Sequence, residues 1–169
     1  EINMTWLGST GQIMLSIAEE LRKNNINAQS YSPHELSRCE SVLPYHKYYG
    51  TYAGRKFHNL FGRITGLNGI ASITDTQHLI RMLKKNNTDV LHLHNLHSYC
   101  INLPLLFRYI KKNKLKVVCT LHDCWSFTGH CPHFDMIGCD KWKTGCYHCP
   151  QYREYPQSLI DSSKRMYQL

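Results

Sequence analysis

The stretch from His122 to Pro150, HDCWSFTGHCPHFDMIGCDKWKTGCYHCP, concentrates the side chains of this sequence that could do chemistry. It holds five of the eight cysteines and four of the eleven histidines in the 169-residue chain. Thiolates and imidazoles bind zinc, and imidazoles also transfer protons near neutral pH. The stretch is therefore a candidate metal site, disulfide knot or catalytic centre.

Four cysteines of this stretch follow the spacing C-x7-C-x6-C-x2-C: Cys131, Cys139, Cys146 and Cys149. Four thiolates suit tetrahedral zinc. A loop of this length without periodicity needs an internal cross-link to order it, so we predict a structural zinc. The residues that could replace single ligands are His130, His133, His148 and Cys124. Two disulfides and free thiols are the alternatives. Outside the cluster, we interpret three cysteines as small core or surface residues: Cys39, Cys100 and Cys119.

Further histidines follow two predicted strands. His92 and His94 of HLHNLH point to the same face of a strand and could pair on a metal, but we interpret His92 as a hydrogen-bonded core residue. We expect His94 and Asn95 to reach a cleft at the strand's carboxyl end. After KVVCTL, which we expect to be a buried strand, His122 could donate a hydrogen bond or act as acid or base, and Asp123 could hold its tautomer or bind a ligand. The alternative is a turn in which Asp123 caps the following segment.

A short turn of small residues precedes the first predicted helix: Gly8, Ser9, Thr10 and Gly11. Backbone N–H groups at a helix N-terminus can bind phosphate or carboxylate. The turn is not a GxGxxG motif, and no Walker lysine follows, which disfavours dinucleotide and P-loop sites. The alternative is a tight turn in which Ser9 or Thr10 is the helix N-cap.

Strand and helix patterns alternate around these residues. We predict strands over INMTW, NINAQSYS (25–32), DVLHLH (89–94) and KVVCTL (116–121), a helix along the Ile13, Ile17 and Leu21 face, a helix with a capping box at TDTQ, and a helix that starts at Asn102. This order predicts an α/β domain with a Rossmann-like, doubly wound parallel sheet. Ligands of such sheets bind at the carboxyl ends of the strands, so GSTG, HNLH and the His122–Asp123 pair should meet there.

The segment from Pro33 to about Thr74 breaks this periodicity. It carries five glycines with tyrosines and basic residues between them. We predict a short amphipathic helix over 55–65 and a flexible loop for much of the remainder.

Composition restricts the class of protein. A hydrophobic fraction of 42% and a charged fraction of 19% indicate one globular domain over residues 1–169. The sequence has no apolar run long enough to span a bilayer and no signal-peptide pattern, so we expect a cytoplasmic location, in which disulfides are disfavoured. The net charge of +8 favours acidic partners.

Three stretches, in this order, resemble the amino-terminal half of bacterial family 4 (group 1) glycosyltransferases: GSTGQI, DVLHLHNLHSYCINLPLLFRYIKK and VVCTLHDCWSFTGHCPHFDMIGCDKWKTGCYHCPQ. The similarity is greatest to the branch that makes exopolysaccharide, capsule or O-antigen. The resemblance covers nearly the whole chain, is most specific from Asp89 to Gln151, and is loose from Pro33 to Thr74.

The resemblance implies one half of a GT-B fold, in which two Rossmann-like domains face each other across a cleft. It implies transfer of a sugar, with retention, from a nucleotide-sugar to a glycan or lipid-linked acceptor at the inner face of the membrane, with no metal in the chemistry. The family's glycine-rich turn maps onto residues 8–11, near the donor phosphate or the acceptor. Its active-site histidine maps onto His122, which would contact the transferred sugar, and its cysteine-rich insertion covers residues 124–150.

Two departures from the family pattern are visible. Cys119 stands where the resemblance leads us to expect Trp, at an apolar position. The paired-glutamate donor motif, E-x7-E, and the carboxy-terminal domain that mainly binds the nucleotide-sugar are absent from these 169 residues. We therefore expect this piece to be inactive by itself.

Two other functions compete with this interpretation. A zinc-dependent nucleic-acid-binding module would use the charge and the Cys/His cluster, but the basic residues are scattered among helix ends, so we expect no nucleic-acid partner. A zinc hydrolase that uses His92, His94 and His122 has no HExxH-like arrangement to support it.

Overall fold

The computed structural model describes residues 1–34, 43–97 and 99–168 and forms an α/β fold with parallel strands. Cys39 lies outside the described residues. In chain order the elements are α1 (Gly8–Lys23), β1 (Ser30–Pro33), β2 (His46–Tyr49), α2 (Tyr52–Thr65), α3 (Ile73–Lys85), β3 (Val90–Leu93), α4 (Leu103–Asn113), β4 (Lys116–Cys119), three 3-10 turns (Trp125–Phe127, Asp135–Ile137, Lys141–Lys143) and α5 (Ser163–Tyr167).

Two parallel strand pairs flank the first segment of the chain. Strand β1 pairs with β2, and β3 pairs with β4. Between them, Ile2 makes parallel bridges to Tyr31 of β1 and to Leu93 of β3. The start of INMTW therefore pairs with strands on both sides, because Ile2, Asn3 and Met4 donate backbone hydrogen bonds to His92, Tyr31 and Asn95, but the paired part is shorter than the predicted strand. The α/β class with parallel strands is confirmed, but the pairs are only four residues long and do not by themselves make a doubly wound sheet.

The core lies where the first segment, β3 and the helices α3 and α4 pack together. Leu79 and Leu83 come from α3, Leu106 comes from α4, and Leu91 comes from β3; each is at most 1% exposed. Helix α4 starts as predicted: the Asn102 side chain accepts a hydrogen bond from the Leu105 N–H at 2.9 Å. Burial of these aliphatic side chains drives the fold.

The segment predicted as a flexible loop contains regular structure in its described part. Strand β2 and helix α2 both lie in it, and α2 includes the predicted helix but begins earlier, at Tyr52. Strand β2 was not predicted, because its sequence, HKYY, is polar. Its first residue, His46, is buried between the hydroxyls of Ser30 (2.9 Å) and Ser32 (3.1 Å), which satisfy both ring nitrogens.

Three further predictions are corrected. The second strand is Ser30–Pro33 rather than 25–32. The TDTQ capping box is not formed, because α3 is preceded by Ser72, whose hydroxyl pairs with His58 Nδ1 at 2.7 Å instead of capping the helix. Strand β4, predicted to be buried, is exposed along all four residues. None of the described helices is long and apolar enough to cross a bilayer.

Candidate functional site

One buried amide joins the first turn of α1 to the segment after β3. Asn3 is fully buried, and its Oδ1 accepts a hydrogen bond from the Asn95 N–H at 3.1 Å. Its Nδ2 donates to Thr10 Oγ1 at 3.2 Å and to the Thr5 carbonyl at 2.9 Å. Sequence reasoning missed Asn3, although a polar side chain inside an apolar stretch was a usable signal.

The glycine turn forms the N-terminus of α1, as predicted. Gly8 has a φ of +71°, a conformation that favours glycine. A Cβ at Gly11 would lie 2.3 Å from the Trp6 carbonyl carbon, so no side chain fits there. The N-cap is Leu7, and no side chain caps the helix, so the alternative of Ser9 or Thr10 as N-cap is wrong. The first turn carries the partial positive charge of a helix N-terminus.

A chain of polar contacts runs from Thr120 through His92, Glu1 and His94 to His122. His92 Nε2 pairs with Thr120 Oγ1 at 2.8 Å, and His92 Nδ1 lies 2.9 Å from Glu1 Oε2. The same carboxylate oxygen lies 2.8 Å from His94 Nε2. His94 Nδ1 in turn lies 2.9 Å from His122 Nε2, and the two rings are stacked. Both nitrogens of His92 therefore have partners, in agreement with its interpretation as a satisfied residue.

Burial increases inward along this chain. His122 is half-buried, whereas the side chains of His94 and Glu1 are 0% and 4% exposed. Burial, followed by the neighbouring His94, lowers the pKa of His122. Burial also lowers the pKa of His92. Burial alone would raise the pKa of Glu1, but the hydrogen bond from His94 is among the effects that reverse the direction and lower it.

The chemistry of the partners sets the direction of each hydrogen bond. A carboxylate can only accept, so His94 donates its Nε2–H to Glu1, and its Nδ1 accepts from His122. His122 then donates its Nε2–H to His94 and keeps Nδ1 free to accept a hydrogen bond from a ligand. His94 is too deeply buried to reach a cleft directly, so the expectation that it lines one is replaced by a position behind His122.

A second set of polar groups surrounds Asp123. Its Oδ2 lies 2.7 Å from His97 Nε2, and its Oδ1 accepts from the Trp125 N–H at 2.9 Å. On the other side of His97, Nδ1 lies 3.2 Å from the hydroxyl of Tyr155. Burial opposes ionisation of Asp123, but the hydrogen bonds from His97 and Trp125 hold its pKa below the usual range. Asp123 thus closes the following turn and orients His97 at the same time.

Tyr155 was not predicted from the sequence. It lies in QYREYPQS, which has no periodicity to mark it, and the side chain that fixes its position, His97, is 58 residues earlier. Burial raises the pKa of the Tyr155 hydroxyl, so this group stays protonated and donates to His97.

The three predicted loops meet. Asn3 connects Thr10 to Asn95, His94 contacts His122, and His97 contacts Asp123, so segments after Ile2, β3 and β4 share one region. Within the described residues, the one group of three or more Cys, His, Asp or Glu whose ligand atoms all lie within 4.8 Å of one another is Glu1, His92 and His94. That group omits His122, which the zinc-hydrolase alternative requires.

The four predicted metal-binding cysteines surround a single small cavity of about 10 Å³. None of the seven described cysteines forms a disulfide. A hydrogen bond joins Cys131 to Cys149; it raises the pKa of Cys131 and lowers that of Cys149 to about 7.

Comparison with known proteins gives one informative relative. A protein of Escherichia coli (strain K12), WcaC, whose name assigns it provisionally to colanic acid biosynthesis as a glycosyl transferase, is 45% identical over 82 residues. The match spans 46% of this chain and 20% of the relative. No protein-family model and no solved structure matches the chain. The similarity indicates a relationship to glycosyltransferases.

Proposed function

We propose that this chain is the acceptor-side domain of a retaining glycosyltransferase that acts on a glycan or lipid-linked precursor of a cell-surface polysaccharide. The observation that carries the proposal is the 45% identity over 82 residues to a protein named as a glycosyl transferase of colanic acid biosynthesis. Identity at that level over such a length indicates shared ancestry. The reaction, the substrates and the family 4 assignment are extended to this chain as part of the proposal.

The architecture is compatible with half of a GT-B fold. If the bridges of Ile2 mark a central strand, the strand order is β2, β1, first segment, β3, β4, which is the order of a Rossmann-like sheet. The region where Asn3, Asn95 and His122 meet then lies at the carboxyl ends of the strands. Ligands of open α/β sheets bind at that edge.

The predicted site residues other than His94, which lies behind His122, have a role in this proposal. His122 contacts the transferred sugar through Nδ1, the nitrogen that its hydrogen bond to His94 leaves free. The α1 N-terminus, with Gly8, Ser9, Thr10 and Gly11, faces the donor phosphate or a charged acceptor group. Asn95 and Asp123 complete the acceptor side. The nucleotide of the donor is bound mainly by a second domain outside these 169 residues.

The charge of the chain supports an anionic acceptor. Its net charge of +8 would attract a lipid-linked diphosphate or the inner surface of an anionic membrane. The proposal therefore includes peripheral contact with the cytoplasmic face of the membrane. Zinc takes no part in sugar transfer here, in keeping with the resemblance.

The test is sugar transfer by the full-length protein. Radiolabelled UDP- and GDP-hexoses would be incubated one by one with purified protein and a lipid extract of the source membranes. We expect label to move from at least one nucleotide-sugar into the lipid or glycan fraction, with the anomeric configuration retained. Absence of transfer from every donor, together with salt-sensitive binding of RNA or DNA, would favour the nucleic-acid-binding alternative.

A further inference from the structure

The loop that joins β4 to Tyr155 lacks the usual means of holding a chain in place. Within it the described residues form only three 3-10 turns of three residues each, at Trp125–Phe127, Asp135–Ile137 and Lys141–Lys143. Such turns make few backbone hydrogen bonds, so the loop needs another source of order. That source must lie in side chains.

The lining of the cavity inside this loop shows which of the candidate metal ligands lie close together. Its walls include the sulfur-bearing residues Cys131, Cys139, Cys146 and Cys149. His130 also lines it, whereas Cys124, His133 and His148 do not. Residues far apart in the loop are therefore brought to one place, and the sulfur donors that reach it are the four of the C-x7-C-x6-C-x2-C pattern.

The sulfur-bearing segments are already in contact. Cys131 and Cys149 are joined by a hydrogen bond. The segment before Cys131 lies against the third cysteine, because a Cβ on Gly129 would be 2.7 Å from the Cβ of Cys146. Gly129 thus allows the close approach of the two halves of the loop.

The size and the walls of the cavity suit one soft cation. A volume of about 10 Å³ is near the size of one water molecule or ion. Among the described residues no carboxylate lines it, which disfavours calcium and magnesium. Phe134, Trp142 and Tyr147 also line it, and thiolates are ligands that suit zinc.

We propose that Cys131, Cys139, Cys146 and Cys149 bind one zinc ion that holds the loop between β4 and Tyr155 together. In the described part of the chain, no three of these sulfurs lie within 4.8 Å of one another. Zinc–sulfur bonds of about 2.3 Å would draw them inward by rotation of the cysteine side chains. Three of the four residues are half-buried, which leaves room for that rotation.

His130 has a supporting place in this site. It is 2% exposed, and its Nε2 is buried without a hydrogen-bond partner among the described residues. A buried N–H without an acceptor costs free energy. In the proposed site a thiolate beside His130 would accept from that N–H, which would make His130 a hydrogen-bond partner of the ligands and not a ligand.

The first experiment measures metal in the full-length protein, purified under reducing conditions without added zinc. We expect about one zinc per chain in the wild type and a large loss in Cys131→Ser and in Cys146→Ser. Two matched controls should keep the metal: Cys124→Ser, from the same loop, and Cys119→Ser, from exposed β4. Zinc-free wild-type protein that also fails to take up added zinc, or loss of zinc in either control, would overturn the proposal.

A second experiment needs no variant and is unaffected if a cysteine substitution prevents folding. Reactive thiols of the wild-type protein would be counted before and after a chelator removes the metal, and four additional thiols are expected. Replacement of zinc by cobalt should give the absorption spectrum of a tetrahedral centre with four thiolate ligands. The His130→Gln variant should give the same spectrum, because His130 is not a ligand. Disulfides between these cysteines, or a three-sulfur spectrum that changes in His130→Gln, would contradict four-cysteine binding. Neither experiment depends on sugar transfer.

Discussion

At the scale of residues, the account depends on His122 and the side chains that orient it. Glu1 and His94 are buried behind it and hold its Nε2, so only Nδ1 is left for a ligand. The Glu1 carboxylate orients the imidazole of His94, and His94 in turn fixes the tautomer of the outer ring, His122. In the proposed function the deeper residues therefore act through His122, because they lie behind it.

This series predicts a change in the pH dependence of sugar transfer. His94 is one cause, after burial, of the lowered pKa of His122, so His94→Gln should raise the pKa of His122 towards its ordinary value. In the proposed function the neutral ring of His122 accepts a hydrogen bond from the ligand, so the acid limb of the kcat profile should move to higher pH in His94→Gln. The loss of one hydrogen bond should lower kcat at neutral pH by about tenfold.

The measurement is kcat against pH for the wild type and His94→Gln in the full-length protein. The exposed His78 on α3 provides the control, since His78→Gln should leave the acid limb in place. If kcat falls in His94→Gln but the acid limb of the kcat profile stays at the same pH, His94 affects packing and not the pKa of His122.

At the scale of elements, two buried histidines make β2 and α2 sensitive to acid. Burial lowers the pKa of His46 on β2 and of His58 on α2 from 6.5 to about 4. Both rings are less than a tenth exposed and pair with serine hydroxyls. In the unfolded chain these histidines take up a proton below about pH 6.5, whereas in the folded chain they remain neutral to about pH 4.

The free energy of unfolding should therefore fall as the pH drops from about 6.5 to 4. Above about pH 6.5 these two histidines should cause no change of this free energy with pH. At the acid end of this range, each ring lowers the free energy of unfolding by up to about 3 kcal/mol. Denaturant unfolding at several pH values would measure the fall, and His58→Gln should flatten it. His133→Gln, at an exposed position, should not. Equal slopes in wild type and His58→Gln would show that His58 is protonated in the folded protein.

The sequence was informative where local rules decide the structure. Helix α4 and its Asn102 cap follow from a capping residue and periodicity, and the start of α1 follows from the glycines of GSTG. Strand β2 could not be found, because its polar His46 is satisfied by serines of a neighbouring strand. For the same reason Glu1, Asn3 and Tyr155 were missed, since their partners are distant in sequence.

At the scale of the whole molecule, two regions with different tasks lie next to each other. Segments after Ile2, β3 and β4 converge on His122 and Asp123, and the cysteine-rich loop continues from there to Tyr155, which returns to His97. A metal centre in the loop would thus fix the distance between β4 and Tyr155. In the two proposals made above, the loop would stabilise one wall of the site and the histidines would serve the sugar transfer.

The central claim is that this convergence is a sugar-transfer site, and kcat for sugar transfer by full-length His122→Ala tests it most directly. His78→Ala, on an exposed helix face, is the matched control. The account predicts that His122→Ala lowers kcat by about a hundredfold or more while zinc content and thermal stability stay close to wild type. A kcat equal to that of His78→Ala would contradict it.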